Sequence, residues 1–253
     1  MLLDGAGRRL ARWLNTPRAS GRTLSTSPPG SIARVLRPGD VLLVEGSSRI
    51  STAIKYLTQS SWSHAALCVA APDPQAGAER EPPVLLEADV SEGVRLVPLQ
   101  RYVALHTRIC RPVGLSPQEI ARVVRLVLER VGHQYDMKNI FDLARYLLPT
   151  PPVPTQYRRQ LLTFGSGDPT RAICSSLLAE AFQAIGYPIL PEPLEAVNGR
   201  MRLQATHPTL ITPRDFDVSP YFAIVKPTLE LGFDPHQIEL VPPPPRAIPR
   251  SES

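Results

Sequence analysis

Residues 172–187, AICSSLLAEAFQAIGY, constrain the fold more than any other stretch, because they read as a well-formed helix with a cysteine at its head. Leu178, Ala181, Phe182 and Ile185 recur at spacings of three and four, one apolar stripe of a helix. Gly186 and Pro188 supply the stop, and Asp168-Pro169-Thr170 offers a cap and a first-turn proline upstream. Cys174 falls in or next to the first turn, on the side of Leu178, Ala181 and Ile185. Its sulfur there lies near the positive end of the helix dipole, which favours the thiolate, the nucleophilic form. The competing reading is a small packing residue, since free cysteine is among the most buried residue types. The choice turns on whether the chain also supplies a base and a group to orient it.

A chain of 253 residues fits one large domain or two small ones, with ample core. No run approaches the roughly 20 apolar residues of a membrane span. The N-terminal MLLDGAGRRLARWLN lacks the uninterrupted apolar region of a secretory signal. Three scattered cysteines do not make a disulfide framework, so a reducing, cytoplasmic setting is expected. The net charge of +5 is unevenly placed. Residues 1–40 hold seven arginines against Asp4 and Asp40, and the remaining residues balance at 21 basic and 21 acidic. A neutral body argues against a nucleic-acid-binding surface. The basic arm points instead to an anionic contact.

That arm begins with an amphipathic helix candidate over 1–14, with Leu3, Ala6, Leu10, Trp13 and Leu14 on one face and Arg8, Arg9 and Arg12 off it. Such a helix suits an anionic membrane interface, to which the chain would be peripheral, or docks on the domain. Residues 15–31 read as a linker, and globular structure is expected from Leu36. The division expected is an arm and linker over 1–35, a domain over 36–230 and a proline-rich tail over 231–253. Within the domain, Val41–Val44 is a short strand and Ser47-Ser48 could cap a helix through Leu57. The run 61–69 alternates so that His64, Ala66 and Cys68 share one face and Ala65, Leu67 and Val69 the other. Residues 84–90 give a third strand with Leu85, Glu87 and Asp89 on one face, and 94–99 and 107–111 continue the sheet. Ser116-Pro117-Gln118-Glu119 starts a helix, a second covers about 138–148, and 221–225 is a last strand.

Thiol chemistry of the papain kind needs a thiol, an imidazole to take its proton, and a polar group to hold the imidazole's tautomer. Cys174, His64 and Glu87 supply these from three separate elements. Glu87 is the informative member, because a carboxylate between Leu86 and Ala88 in an apolar strand needs a specific partner or a solvent-facing side. Asp89 shares its face and is the rival orienter. His106, His133, His207 and His236 lie in turns, at edges or beside prolines, where surface or capping roles are usual. No CxxC or HxxxH spacing occurs, so no metal is expected. Gly165-Ser166-Gly167 lacks the Lys-Ser/Thr of a phosphate-cradling loop, and no cofactor is expected.

The order PGDVLL (38–43), SWSHAAL (61–67), LLEAD (85–89), GHQYD (132–136) and ICSSLL (173–178) resembles the circularly permuted branch of the NlpC-like papain superfamily, the YiiX/YaeF-type amidases. The resemblance spans about residues 36–190. It implies an α+β, permuted papain-like fold, a small curved antiparallel sheet packed against helices. It also implies Cys174 as nucleophile, His64 as base, Glu87 as orienter and Tyr135 beside the thiol as an oxyanion group. The activity implied is a cysteine hydrolase that cleaves an amide or ester in a small acylated or peptidic substrate. Two alternatives stand beside it. Lecithin–retinol-acyltransferase-like acyl transfer uses the same permuted order, although ICSSLL lacks that family's asparagine-cysteine-glutamate-histidine motif. A catalytically silent binding module would follow if His64 and Glu87 lay on opposite faces.

Overall fold

The computed structural model describes residues 30–71, 82–89, 92–133, 173–197 and 200–239, with single residues at 16, 27 and 241. The arm over 1–14, the helix expected over 138–148, Tyr135, the cap at 168–170 and most of the proline-rich tail lie outside the described residues. Among the described residues, no helix is long and apolar enough to cross a membrane.

Among the described residues the first packed element is α1, Ser31–Val35, which starts five residues before Leu36. Ile32 and Val35 are buried there, which the Ser- and Pro-rich sequence around them conceals. The chain then runs through β1 (Val41–Val44), α2 (Arg49–Thr58), β2 (His64–Ala70), β3 (Val84–Asp89), β4 (Gly93–Pro98) and β5 (Thr107–Pro112). After α3 (Pro117–Leu128) come α4 (Ile173–Ala184), a two-stranded ribbon of β6 (Glu192–Val197) and β7 (Arg200–Gln204), α5 (Pro213–Val218), β8 (Phe222–Val225) and α6 (Pro227–Glu230). The helix starts follow local chemistry. Ser48 accepts from the Ser51 N–H at the head of α2, and Ser116 and Glu119 form a reciprocal capping box before Pro117 of α3. Thr212 and Asp215 do the same at α5.

Six strands form one antiparallel sheet in the order β4-β3-β2-β1-β5-β8. Alternation divides its side chains between two cores. Val41, Leu43, Ala65, Leu67, Leu86 and Cys110 pack under α3 and α4, with Phe182, Phe216 and Phe222. Leu42, Val44, Ala66, Cys68, Leu85 and Ile109 pack on the other face with Ile32, Val35, Leu99 and Tyr102.

In α4 the structure departs from the amphipathic expectation. All six residues from Cys174 to Ala179 are buried, not one stripe. The helix lies against β2, β3, α3 and the turn at Pro208–Leu210, so it is enclosed on several sides. Its hydroxyls accommodate this locally: Ser175 Oγ donates to the Ile211 carbonyl at 2.6 Å. An enclosed helix gives its first turn a fixed position, and that turn carries Cys174.

Candidate active site

β2 pairs with β1 so that Val44 faces His64, and with β3 so that Ala66 faces Glu87. Alternation therefore sets His64, Ala66 and Glu87 on one face, with His64 diagonal to Glu87. The diagonal is closed by a contact of 2.9 Å between His64 Nε2 and Glu87 Oε2. Cys174 comes from α4 on the opposite face. His64 is the first residue of β2, so the histidine at the sheet's end can join the two sides. The Cys174 thiol is within hydrogen-bonding reach of the His64 side chain and of the Ala65 and Ser175 backbone N–H groups. With Nε2 engaged by Glu87, Nδ1 is the nitrogen left for the thiol.

The electrostatics run in one direction through these groups. Burial pushes the Cys174 thiol up, but the charge and hydrogen bond of His64, with the two backbone N–H groups, bring it below its ordinary value. For His64, burial works against the charged ring. The Cys174 thiolate, and then Glu87, outweigh burial and raise the imidazole to about 10. Glu87 is buried, which by itself favours the neutral acid. Hydrogen bonding and charge from His64, a hydrogen bond from Tyr102 and the charge of Arg101 hold it down to about 2. The arrangement favours a thiolate–imidazolium pair beside an ionised carboxylate.

Three further residues complete the surroundings of Glu87, and none was picked out in the sequence. Arg95, directly across β4 from Glu87, donates through Nε to Oε1 at 2.9 Å. Arg101 reaches the same oxygen with its Nε at 3.5 Å. Tyr102 donates its hydroxyl to Oε2. The Arg95 pairing is recoverable from the β3–β4 hairpin register. Tyr102 lies beyond a 3-10 turn at Leu99–Arg101, and nothing in the local sequence points it back to β3.

The rival groups fall elsewhere. Asp89 shares the face of Glu87, but it accepts from the Glu92 N–H at 3.1 Å, and Arg95 Nη2 stands 4.0 Å away. His106 faces Glu45 at 3.1 Å and packs against Trp62. His207 accepts from the Thr209 N–H at the head of a 3-10 turn, a capping role. Cys68 and Cys110 are fully buried in strands; burial lifts Cys68 to about 12 and raises Cys110 as well. A cavity of about 650 Å³ lies between the sheet and α3, lined by Asp40, Val69, Arg111 and Ile120 but by none of Cys174, His64 and Glu87. No group of three or more His, Cys, Asp or Glu side chains suited to a metal ion gathers among the described residues.

A six-stranded antiparallel sheet with helices packed on it, and a histidine strand that precedes the cysteine helix, is a permuted papain-like fold. The model of the permuted papain-like amidase enzymes, YaeF/YiiX, C92 family, matches residues 35–146, and over that stretch the chain is similar to the family. The matched span contains His64 and Glu87 and ends before Cys174. The family is one of papain-like amidases and hydrolases. Among solved structures, the chain is similar to a crystal structure described as metalloprotein yiiX from Escherichia coli O157:H7, DUF1105. The identity is 16% and the TM-score 0.46, over 75% of this chain and 96% of that one. No curated protein matches the chain.

Proposed function

We propose that this protein is a cysteine hydrolase that cleaves an amide or ester bond of a small acylated or peptidic molecule through a thioester acyl-enzyme. The observation that carries the reading is the continuous path from the Cys174 thiol through His64 to the buried Glu87 carboxylate. The Cys174 thiolate attacks the carbonyl carbon, and the C–S bond forms as the carbonyl electrons move to oxygen. When these electrons return, the C–N or C–O bond to the leaving group breaks, and the His64 imidazolium gives that group its proton. Water then attacks the thioester while His64 takes a proton from it; the acid leaves and the thiolate is restored. Glu87 holds His64 with Nε2 as the donor. The Cys174 backbone N–H, at the head of α4 as described, offers one hydrogen bond to the oxyanion, and the family resemblance gives Tyr135 as the source of a second.

p-Nitrophenyl acetate tests this reading without the natural substrate. The expected result is acetylation of Cys174 alone, found by peptide mass mapping, followed by continued turnover in water. Cys174→Ala should abolish both. Acetylation that stops after one equivalent and proceeds only with an added acyl acceptor would favour acyl transfer over hydrolysis. Absence of any Cys174 adduct would sink the nucleophile assignment.

A further inference from the structure

We propose that Tyr102 is a positioning residue for the Glu87–His64 pair: its hydroxyl donates to Glu87 Oε2, the same oxygen that faces His64 Nε2, and fixes that oxygen where the imidazole needs it. The proposal deepens the hydrolase reading and rests on it.

The carboxylate of Glu87 has two oxygens and two sets of partners. Oε1 belongs to the arginines, with Arg95 Nη2 at 2.8 Å and Arg101 Nε at 3.5 Å. Oε2 belongs to Tyr102 and His64. Two guanidinium groups on one oxygen would draw the carboxylate toward themselves, rotating Oε2 away from the imidazole. Tyr102 opposes that rotation from the other side. Its ring is 4% exposed and packs in the core below β2 and β3, and the turn that precedes it is anchored by buried Leu99. The hydroxyl therefore has a fixed origin.

The chemistry of the donor also matters. An arginine on Oε2 would cancel much of the negative charge that His64 feels. A phenol holds the oxygen through one hydrogen bond and leaves the charge in place. Burial and the neighbouring Glu87 charge raise the Tyr102 hydroxyl far above its ordinary value, so it keeps its hydrogen at any pH where the protein works. The phenol oxygen also stands 3.3 Å from His64 Nε2. Its single hydrogen is committed to Glu87, so toward the imidazole the phenol can only accept. Both groups that face Nε2 then favour a proton on that nitrogen, and Nδ1 is left to exchange a proton with the thiol.

A double-mutant cycle tests the role on the full chain, with two readouts that need no substrate. One is the rate at which iodoacetamide labels Cys174 at pH 6. The other is the ¹⁵N titration of the His64 ring in a Cys174→Ala background. Tyr102→Phe keeps the ring in its core, and circular dichroism should confirm an unchanged fold. We expect it to slow Cys174 labelling about fivefold, the size of one net hydrogen bond, and to lower the pH at which His64 loses its proton. In a Glu87→Gln background the same change should have almost no further effect, because the charge that Tyr102 positions is gone. Equal losses in both backgrounds would mean that Tyr102 acts through packing alone. No loss in either would mean that the arginines and the strand hold Glu87 unaided. Either result overturns the proposal. Failure of the hydrolase reading looks different: Cys174 of the unaltered protein would label no faster than Cys68 and Cys110.

Discussion

The sheet carries two carboxylates buried to 3% or less, Asp40 just before β1 and Glu87 in β3, and their partners differ. Each is gripped by an arginine from a strand on the same sheet. Arg111 spans Asp40 with Nε to Oδ1 and Nη2 to Oδ2, both at 2.9 Å, while Arg95 holds one oxygen of Glu87. The remaining capacity of Asp40 goes to the Arg37 backbone N–H at 2.8 Å. Arg111 continues to the Val35 carbonyl and to Glu230, which ties α1, β5 and α6 together. Every donor at that end keeps its proton throughout the accessible pH range. At Glu87 one donor is an imidazole, and beyond it stands a thiol. The nearby cysteines record the difference. Cys68, raised by burial and by the Asp40 charge, is pushed to about 12, whereas Cys174 is brought below its ordinary value by His64. A buried carboxylate–arginine pair is thus a structural device by default. It can become part of a chemical one when its neighbour is an imidazole that can exchange a proton with a thiol.

The largest effect that would break this division is at Arg111. Arg111→Met removes the cation that grips both oxygens and leaves buried Asp40 with only the weaker influence of the Arg37 charge. We expect a loss of about 3–5 kcal/mol in urea-induced unfolding, the usual consequence of orphaning a buried charge, with Cys174 labelling of the folded protein unchanged. A loss under about 1 kcal/mol, or labelling that falls in parallel, would show that the two ends are not separate. Next in size is His64→Ala, which should erase the distinction between the cysteines. Losing the imidazolium leaves the Cys174 thiol to burial and to the Ala65 and Ser175 backbone N–H groups, and at pH 6 its labelling should slow by about 10-fold or more. Labelling that persists would assign the thiolate to the helix start and not to His64.

The strand faces that carry His64 and Glu87 were legible in the sequence. Alternation in β2 and β3 correctly set His64 with Ala66 and Cys68 and Glu87 with Leu85, because each strand has a period of two and buries both faces. The Ser116/Glu119 box placed the head of α3 for an equally local reason. The surroundings of Glu87 were not legible in the same way. Arg95 depends on a hairpin register and Tyr102 on a 3-10 turn, both tertiary outcomes of a short loop. Other misses were signals passed over. Thr212-Pro213-Arg214-Asp215 is a capping box with a first-turn proline, yet among so many prolines it read as punctuation. β6 and β7 were missed for the same reason, with Pro193 inside the first of them. The enclosure of α4 could not be read from one strand or helix at a time, since it reflects what packs on its far sides.

A smaller effect concerns acid. The folded-state pKa of Glu87 is depressed to about 2 from an ordinary 4.5. A depressed carboxylate contributes stability that is fully present above its unfolded value and is lost as pH falls through the folded one. The contribution should therefore fade between about pH 4.5 and pH 2. Thermal melts across that range should fall more steeply for the unaltered protein than for Glu87→Gln, which has no carboxylate there to protonate. Parallel curves would mean that Glu87 is not ionised in the folded state.

The smallest expected effect is the sharpest check on which carboxylate matters. Asp89 lies two residues from Glu87 on the same face, has the same charge and borders the same arginine, so proximity alone would make it an equal partner. Its environment says otherwise. Its side chain is 18% exposed against 3% for Glu87, and Arg95 Nη2 is 4.0 Å away. One of its oxygens accepts from the Glu92 N–H in the turn that leads into β4. An asparagine can still accept that bond through its amide oxygen, and in a partly exposed site the lost charge is screened by water. Asp89→Asn should therefore change stability by no more than about 0.5 kcal/mol and leave both Cys174 labelling and the His64 titration where they were. Glu87→Gln should move both. If Asp89→Asn slows labelling as much as Glu87→Gln does, the field at His64 comes from the acidic strand as a whole, and the specific contact between Oε2 and Nε2 is not what raises the imidazole.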